Sequence, residues 1–173
     1  VHRILRSAEG CAEVAWAIAQ EKPTKGEFAE DILGDEALYL LAHIIRLRAR
    51  REDQLDRAEK FINLALQASR KTSEVNPIDH ADDPRFLVER FSIHCHQRYF
   101  EFFGPVGRLD RMISVEKNLN KLKLTYLEGN ELLAKINETV PSHEEELYPF
   151  EYVRQQLLVN LAQICLLSLY PAE

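Results

Sequence analysis

His94-Cys95-His96 sets three metal-ligating side chains in a row. On a helix, residues two apart point about 200° from one another, so His94 and His96 cannot hold one ion there. The tripeptide reads instead as a buried Cys95 with a histidine on either side. His143-Glu144-Glu145-Glu146 opens like a zinc-protease helix, but Leu147 stands where the second histidine is required. These acids suit a helix start, where negative charge meets the positive end of the backbone dipole. No Glu-x-x-His pair occurs, which argues against a di-iron bundle. The sequence thus implies no metal and no cofactor.

Asp79, His80, Asp82 and Asp83 make a small acidic cluster just before Pro84. Paired aspartates ahead of a helix are similar to the metal-binding acids of helical prenyl-diphosphate enzymes, but Phe86 occupies the place of the third acid. A loop whose Asp82 or Asp83 caps the next helix accounts for them. No serine lies in a Gly-x-Ser-x-Gly turn, and Gly104-Pro105-Val106-Gly107 lacks the Lys-Ser or Lys-Thr of a phosphate-cradling loop. Nothing marks an enzyme. Arg46, Arg48, Arg50 and Arg51 could touch RNA, yet they alternate with Leu47 and Ala49 and run straight into Glu52 and Asp53. Local ion pairs at a helix end explain the run.

A net charge of −6 opposes a life spent on nucleic-acid backbone, because neutralised phosphates dominate that affinity. Cys11, Cys95 and Cys165 are odd in number, far apart and set in apolar helical patterns. They are expected to be buried thiols of a reducing, cytoplasmic compartment. The most apolar stretch, Leu157–Tyr170, falls short of the roughly 20 residues that span a bilayer. It is expected to be a buried or interface helix.

Six glycines and seven prolines fall mostly between periodic segments, which favours long helices and an all-α fold. The spacing predicts a helix over His2–Glu21 and a short turn at Phe28–Leu33 stopped by Gly34. Asp35 should cap a helix over Glu36–Arg51, and another should run from Glu52 to Lys71. Pro84–Phe103 follows, rich in large apolar residues, with proline at a position that suits a helix start. Leu109–Tyr126 is expected to be helical and to continue past Gly129. Ser142 with Glu145 forms a capping box, and Pro149 should kink or restart the last helix. The chain reads as one helical domain over residues 1–173.

Within these helices a spacing recurs: Leu38, Leu41, Ala42 and Ile45, then Ala58, Ile62 and Ala65. Val88, Phe91, Ser92 and Cys95 repeat the first form, and Leu158, Leu161, Ala162 and Cys165 repeat it again. It resembles the tetratricopeptide-type helical repeat, in which small residues let the two helices of a pair approach closely. The family unit is 34 residues, whereas Ala42 and Ser92 are 50 positions apart. The resemblance implies antiparallel helix pairs, in a right-handed tetratricopeptide-like solenoid or a related helical bundle. It also implies a chain cut from a longer array, since Ala12, Trp16 and Ala19 look like a second helix and the last pattern like a first.

Such repeats bind extended protein segments on the concave face of their first helices. The resemblance therefore implies a protein-interaction scaffold whose peptide-binding residues are Tyr39, His43, Arg46, Arg50, Glu89, Arg90, Ile93, His96 and Gln97. Several are basic, so an acidic peptide or a carboxylate terminus is the implied guest. On that reading Arg46→Ala and Arg90→Ala weaken capture and leave stability nearly unchanged. Two other classes stay open. One is a regulatory or oligomerisation domain that pairs through Leu157–Tyr170, and the other is a helical bundle with a small-molecule pocket along Phe86–Phe103.

Overall fold

The computed structural model describes residues 2–21, 30–75, 83–103, 115–138 and 144–169, and every regular element among them is an α-helix. In chain order these are α1 (His2–Glu21), α2 (Glu30–Arg48), α3 (Glu52–Val75), α4 (Pro84–Phe103), α5 (Val115–Glu138) and α6 (Glu144–Leu169). The single domain read from the sequence is built as two compact units, Val1–Arg90 and Phe91–Glu173, and the division falls inside α4.

In the first unit α2 packs against both α1 and α3. Its apolar side chains accordingly face two ways: Ala37, Leu38, Leu41, Ala42, Ile44 and Ile45 are all buried. Ala12 of α1 packs against Leu41 and Ile44. On α3 the buried positions Leu55, Ala58, Ile62, Ala65 and Leu66 keep strict helical spacing. Ala42, Ala58 and Ala65 have no exposed surface, as close approach of two helices demands. Burial of a side chain such as Leu41 or Ile62 stabilises the pair by about 1.5–3 kcal/mol each. Arg48 and Arg57 pair with Glu9, and Arg57 Nη2 reaches Glu13 Oε1 at 2.7 Å, so α1 is also held by charge.

α2 begins at Glu30 and passes through Gly34 and Asp35 without a break. The expected stop and cap are therefore absent, since one glycine inside a helix costs only about 1 kcal/mol relative to alanine. Asp83 does cap α4. Its Oδ1 accepts from the Arg85 backbone N–H at 2.8 Å, and its carbonyl accepts from Phe86 and Leu87. Pro84 then occupies the first helical position, where a missing N–H loses nothing.

In the second unit α5 packs against α6. The N-terminal half of α5, at Leu119 and Tyr126, lies beside Ile164 and Ser168, while Gly129 lies beside Leu161, so the two helices run antiparallel. α5 buries Leu122, Thr125, Gly129, Leu132 and Ile136, a clean seam of alternating three- and four-residue steps. It continues past Gly129 to Glu138, as the spacing predicts. α6 runs from Glu144 through Pro149 as one helix rather than restarting. The turn residues Phe28 and Ala29, the loop acids Asp79–Asp82, and residues Leu109–Ser114 and Ser142–His143 lie outside the described residues.

Two expectations fail on α6 and one on α1. Ala162, Cys165 and Leu158 are exposed, so the third copy of the repeat pattern is out of register with the face that packs. Cys11 is exposed as well, and of the three cysteines only Cys95 is buried. Cys11 sits next to Ala12, the residue α1 turns inward, and a helix step of about 100° carries its thiol off the core.

Candidate functional site

The residues assigned to a peptide groove fall on both units. In the first, Glu89 of α4 is 1 % exposed and Arg46 of α2 is 6 % exposed. Arg46 donates to Glu89 through Nε at 2.5 Å and Nη2 at 3.0 Å, a two-pronged pair. His43 Nδ1 lies 2.9 Å from Glu89 Oε2. A carboxylate has no proton to give, so that ring nitrogen carries the hydrogen and donates. The nearby Arg46 Nη2 then has no acceptor at His43. Burial alone would push the Glu89 carboxyl up, but hydrogen bonds from His43 and Arg46 outweigh it and hold the group below the usual carboxylate range.

One turn earlier on the same helices a second charged group assembles. Arg85 is held by Asp83 at 2.6 Å and by Glu36 at 2.5 Å, and its guanidinium lies over the rings of Tyr39 and Phe86. Tyr39 stacks on Phe86 at 5.2 Å and on His43 at 6.0 Å. Hydrogen bonds to Asp83 raise the Arg85 pKa against partial burial. Burial pushes the nearby Asp35 carboxyl up, although the Glu36 backbone N–H donates to it at 2.8 Å. The sequence reading missed Arg85, Glu36 and Asp83 as a set. Glu36 and Arg85 lie 49 positions apart in the chain, and no periodic signal links them.

Of the arginines assigned to the acidic-peptide site, Arg46 is taken by Glu89, and Arg51, outside that set, pairs with Asp53 at 3.1 Å. Arg50 is exposed and its backbone N–H donates to Gln54. Arg90 is half-buried, and its Nε has no hydrogen-bond partner among the described residues. In the second unit Ile93 is fully buried, and His96 and Gln97 are half-buried. His96 Nδ1 donates to the Ser92 carbonyl at 3.0 Å, and His94 Nδ1 pairs with Glu128 at 3.1 Å. The two histidines flanking Cys95 are therefore engaged in different directions. Among the described residues no group of three or more His, Cys, Asp or Glu side chains is placed to hold a metal ion.

The second unit also contains a polar knot that sequence reading did not find. Ser92, expected as a small residue, has no exposed surface and its Oγ accepts from Asn160 Nδ2 at 2.6 Å and Gln156 Nε2 at 3.2 Å. Arg98 and Lys121 both close on Glu101, at 2.6 and 2.7 Å. Burial would raise the Glu101 carboxyl, and the bonds from Lys121 and Arg98 reverse that and hold it below its ordinary value.

Against this background of satisfied charges, α6 stands apart. It buries Phe150, Val153, Leu157, Asn160, Ile164 and Leu167. Two positions further along in every case lie Tyr152, Gln155, Val159, Ala162, Leu166 and Leu169, all exposed. Tyr152, Val159, Leu166 and Leu169 are 59, 58, 57 and 74 % exposed. Residues 155–169 contain no Asp, Glu, Lys or Arg. The corresponding outward line on α3 is Asp53, Arg57, Lys60, Leu64 and Gln67, charged over most of its length. A mostly apolar cleft of about 280 Å³ lies between α5 and α6, lined by Leu119, Leu122, Lys123, Tyr126, Ile164, Cys165 and Ser168, and none of the outward line of α6 borders it.

No protein-family model, curated protein or solved structure matches the chain. Among the described residues no helix is long and apolar enough to cross a membrane.

Proposed function

We propose that the chain is a protein-interaction module of helix pairs, tetratricopeptide-like in the small residues that join α2 to α3, and that a partner protein covers the outward face of α6. The observation that carries this reading is the contrast between α6 and α3. Both helices present an outward line of the same spacing, yet only the line on α6 lacks charge. Scattered exposed leucines are ordinary on any protein surface. The line from Val159 through Ala162 and Leu166 to Leu169 is apolar with no charged residue beside it, which is what an interface looks like before its partner arrives.

This reading moves the binding face away from α2 and α4. There, Arg46 of the supposed groove is occupied by Glu89. An acidic peptide would have to displace that carboxylate, which is almost wholly buried.

The test is photo-cross-linking in the source cell with a photoreactive residue at Leu166, beside a control at Arg57 on α3. The reading expects a discrete protein adduct from position 166 and none from 57. If 166 gives no adduct, or both positions give the same smear, α6 is not a binding face.

A further inference from the structure

The cleft between α5 and α6 lies within one compact unit and has a floor and a mouth of different chemistry. Leu122 and Ile164 make the floor, 2 and 1 % exposed. Leu119 and Tyr126, both exposed, stand on the α5 side, and Cys165 and Ser168 on the α6 side. A volume of about 280 Å³ matches the small end of ligand sites, which run from about 300 to about 1,000 Å³. A helix, about 10 Å across with its side chains, does not enter such a space. A small molecule does.

Charge chooses among small molecules. Among the described residues that line the cleft, Lys123 alone is charged. Lys121 on the same helix is bound to Glu101 at 2.7 Å, whereas the Lys123 ammonium has no ion-pair or hydrogen-bond partner among the described residues. Its aliphatic stem lines the apolar wall while the charge stays at the mouth. Tyr126 follows three positions on, on the same face of α5, and its hydroxyl is likewise without a partner among the described residues. Ser168 differs. Its hydroxyl proton goes to the Cys165 carbonyl at 2.6 Å, which leaves only lone pairs to offer. α6 also ends at Leu169, so the negative end of its backbone dipole lies beside Ser168. An anion is therefore held at Lys123 and Tyr126 and repelled from the Ser168 end.

We propose that this cleft binds a medium-chain fatty acid, its carboxylate on Lys123 and Tyr126 and its tail along Leu119, Leu122 and Ile164. One ammonium matches one negative charge, and the second charge of a phosphate ester would be left without a partner. From Leu119 to Tyr126 the α5 side is about 10 Å long at about 1.5 Å per residue. A long-chain acid would leave much of its tail in water. The site is separate from the outward line of α6, and neither stands on the other.

Cys165 reports on the cleft it lines, and Cys11, exposed in the other unit, is the internal control. The 173-residue chain is alkylated with iodoacetamide in the presence of octanoate, octanol or octylammonium, and the two thiols are followed by peptide mass. Octanoate should slow Cys165 and leave Cys11 unchanged. Octanol should need a higher concentration for the same protection, and octylammonium a higher one still. Lys123→Met keeps the stem and removes the charge. It should weaken octanoate by about tenfold or more, the usual worth of a hydrogen bond to a charged group, and leave octanol unchanged. Equal protection by octanoate and octylammonium overturns the proposal, as does an octanoate affinity that Lys123→Met leaves untouched, or no protection at all. So does a Cys165 that resists iodoacetamide before any ligand is added while Cys11 reacts, because protein then already fills the cleft.

Discussion

Arg46 and Glu89 lie 43 positions apart and meet as a two-pronged ion pair inside the first unit, sealed from solvent. The pair ties α2 to the first turns of α4, and His43 adds a further donor to the carboxylate. Arg46→Ala would leave a buried carboxylate with one partner. Breaking such a pair from one side costs about 3–5 kcal/mol, far beyond the near-neutral effect a surface arginine would show. The double variant Arg46→Met, Glu89→Leu should recover most of that loss, since an apolar pair of similar volume removes the buried charges together. Urea unfolding of the two single variants and the double variant measures this. A single Arg46→Ala that unfolds like the parent would place the guanidinium in water.

Acid should unfold the chain through the same group. The Glu89 and Glu101 carboxyls titrate below their ordinary value of 4.5 in the folded state. The unfolded chain therefore binds more protons in the window between the lowered values and 4.5. Their stabilisation is complete above that window and is lost as pH falls through it. Asp35 works with the opposite sign. Burial raises its carboxyl above 3.8, so its charged form opposes folding at neutral pH and protonation relieves that cost as the pH falls. Urea midpoints followed from about pH 7 to about pH 3 should fall less steeply in Glu89→Gln than in the parent. Asp35→Asn should raise the midpoint near neutrality and lose its advantage in acid. A Glu89→Gln curve parallel to the parent would assign the acid limb to other groups.

The two seams of α6 make a prediction that needs only neighbouring positions. Ile164 is buried and Leu166, two residues on, is 57 % exposed. Ile164→Ala should cost about 2–5 kcal/mol, the usual range for emptying a core site. Leu166→Ala should change the stability of the dilute chain by less than about 0.5 kcal/mol. Thermal unfolding at low protein concentration separates them, and equal losses would mean that the helix is turned the other way.

Why that register could not be read from the sequence is a matter of geometry. Small residues at Ala42, Ala58, Ala65 and Ser92 are fully buried, as their spacing implies, because on α2, α3 and α4 the pattern fits one inward arrangement. On α6 the apolar residues go round the helix, and both seams satisfy a heptad. The pattern of Leu158, Leu161, Ala162 and Cys165 straddles them: Leu161 is buried and the other three are exposed. Periodicity tells that a helix has apolar faces, and only a neighbour tells which one is taken. Charge partners are still less legible. Arg46 looked like a free cation in a basic run because Glu89 lies on another helix, and nothing local links them. Helix existence was readable throughout, and His2–Glu21 and Pro84–Phe103 have the bounds their spacing predicts. Gly34 misled because a glycine permits a stop without requiring one.

Two glycines inside helices should respond to alanine in opposite ways. Gly10 of α1 has open space where a side chain would stand, with nothing within 4 Å. Gly10→Ala should gain up to about 1 kcal/mol, since alanine forfeits less backbone freedom in a helix. Gly129 of α5 is buried, and a Cβ there would meet Phe91 Cζ at 2.4 Å and Leu161 Cδ2 at 2.6 Å. Phe91 has no exposed surface into which its ring could swing. The added methyl must push α5 away from both neighbours, and overpacking of this kind costs about 1–3 kcal/mol. The propensity gain offsets part of it, so Gly129→Ala should remain a net loss and Gly129→Val a larger one. Pairing Gly129→Ala with Phe91→Leu should restore part of the stability, because the shorter side chain vacates the space the methyl needs. If Gly129→Ala instead stabilised the chain as Gly10→Ala does, the close approach of α5 to Phe91 and Leu161 would not exist, and the register of the α5–α6 pair would fall with it.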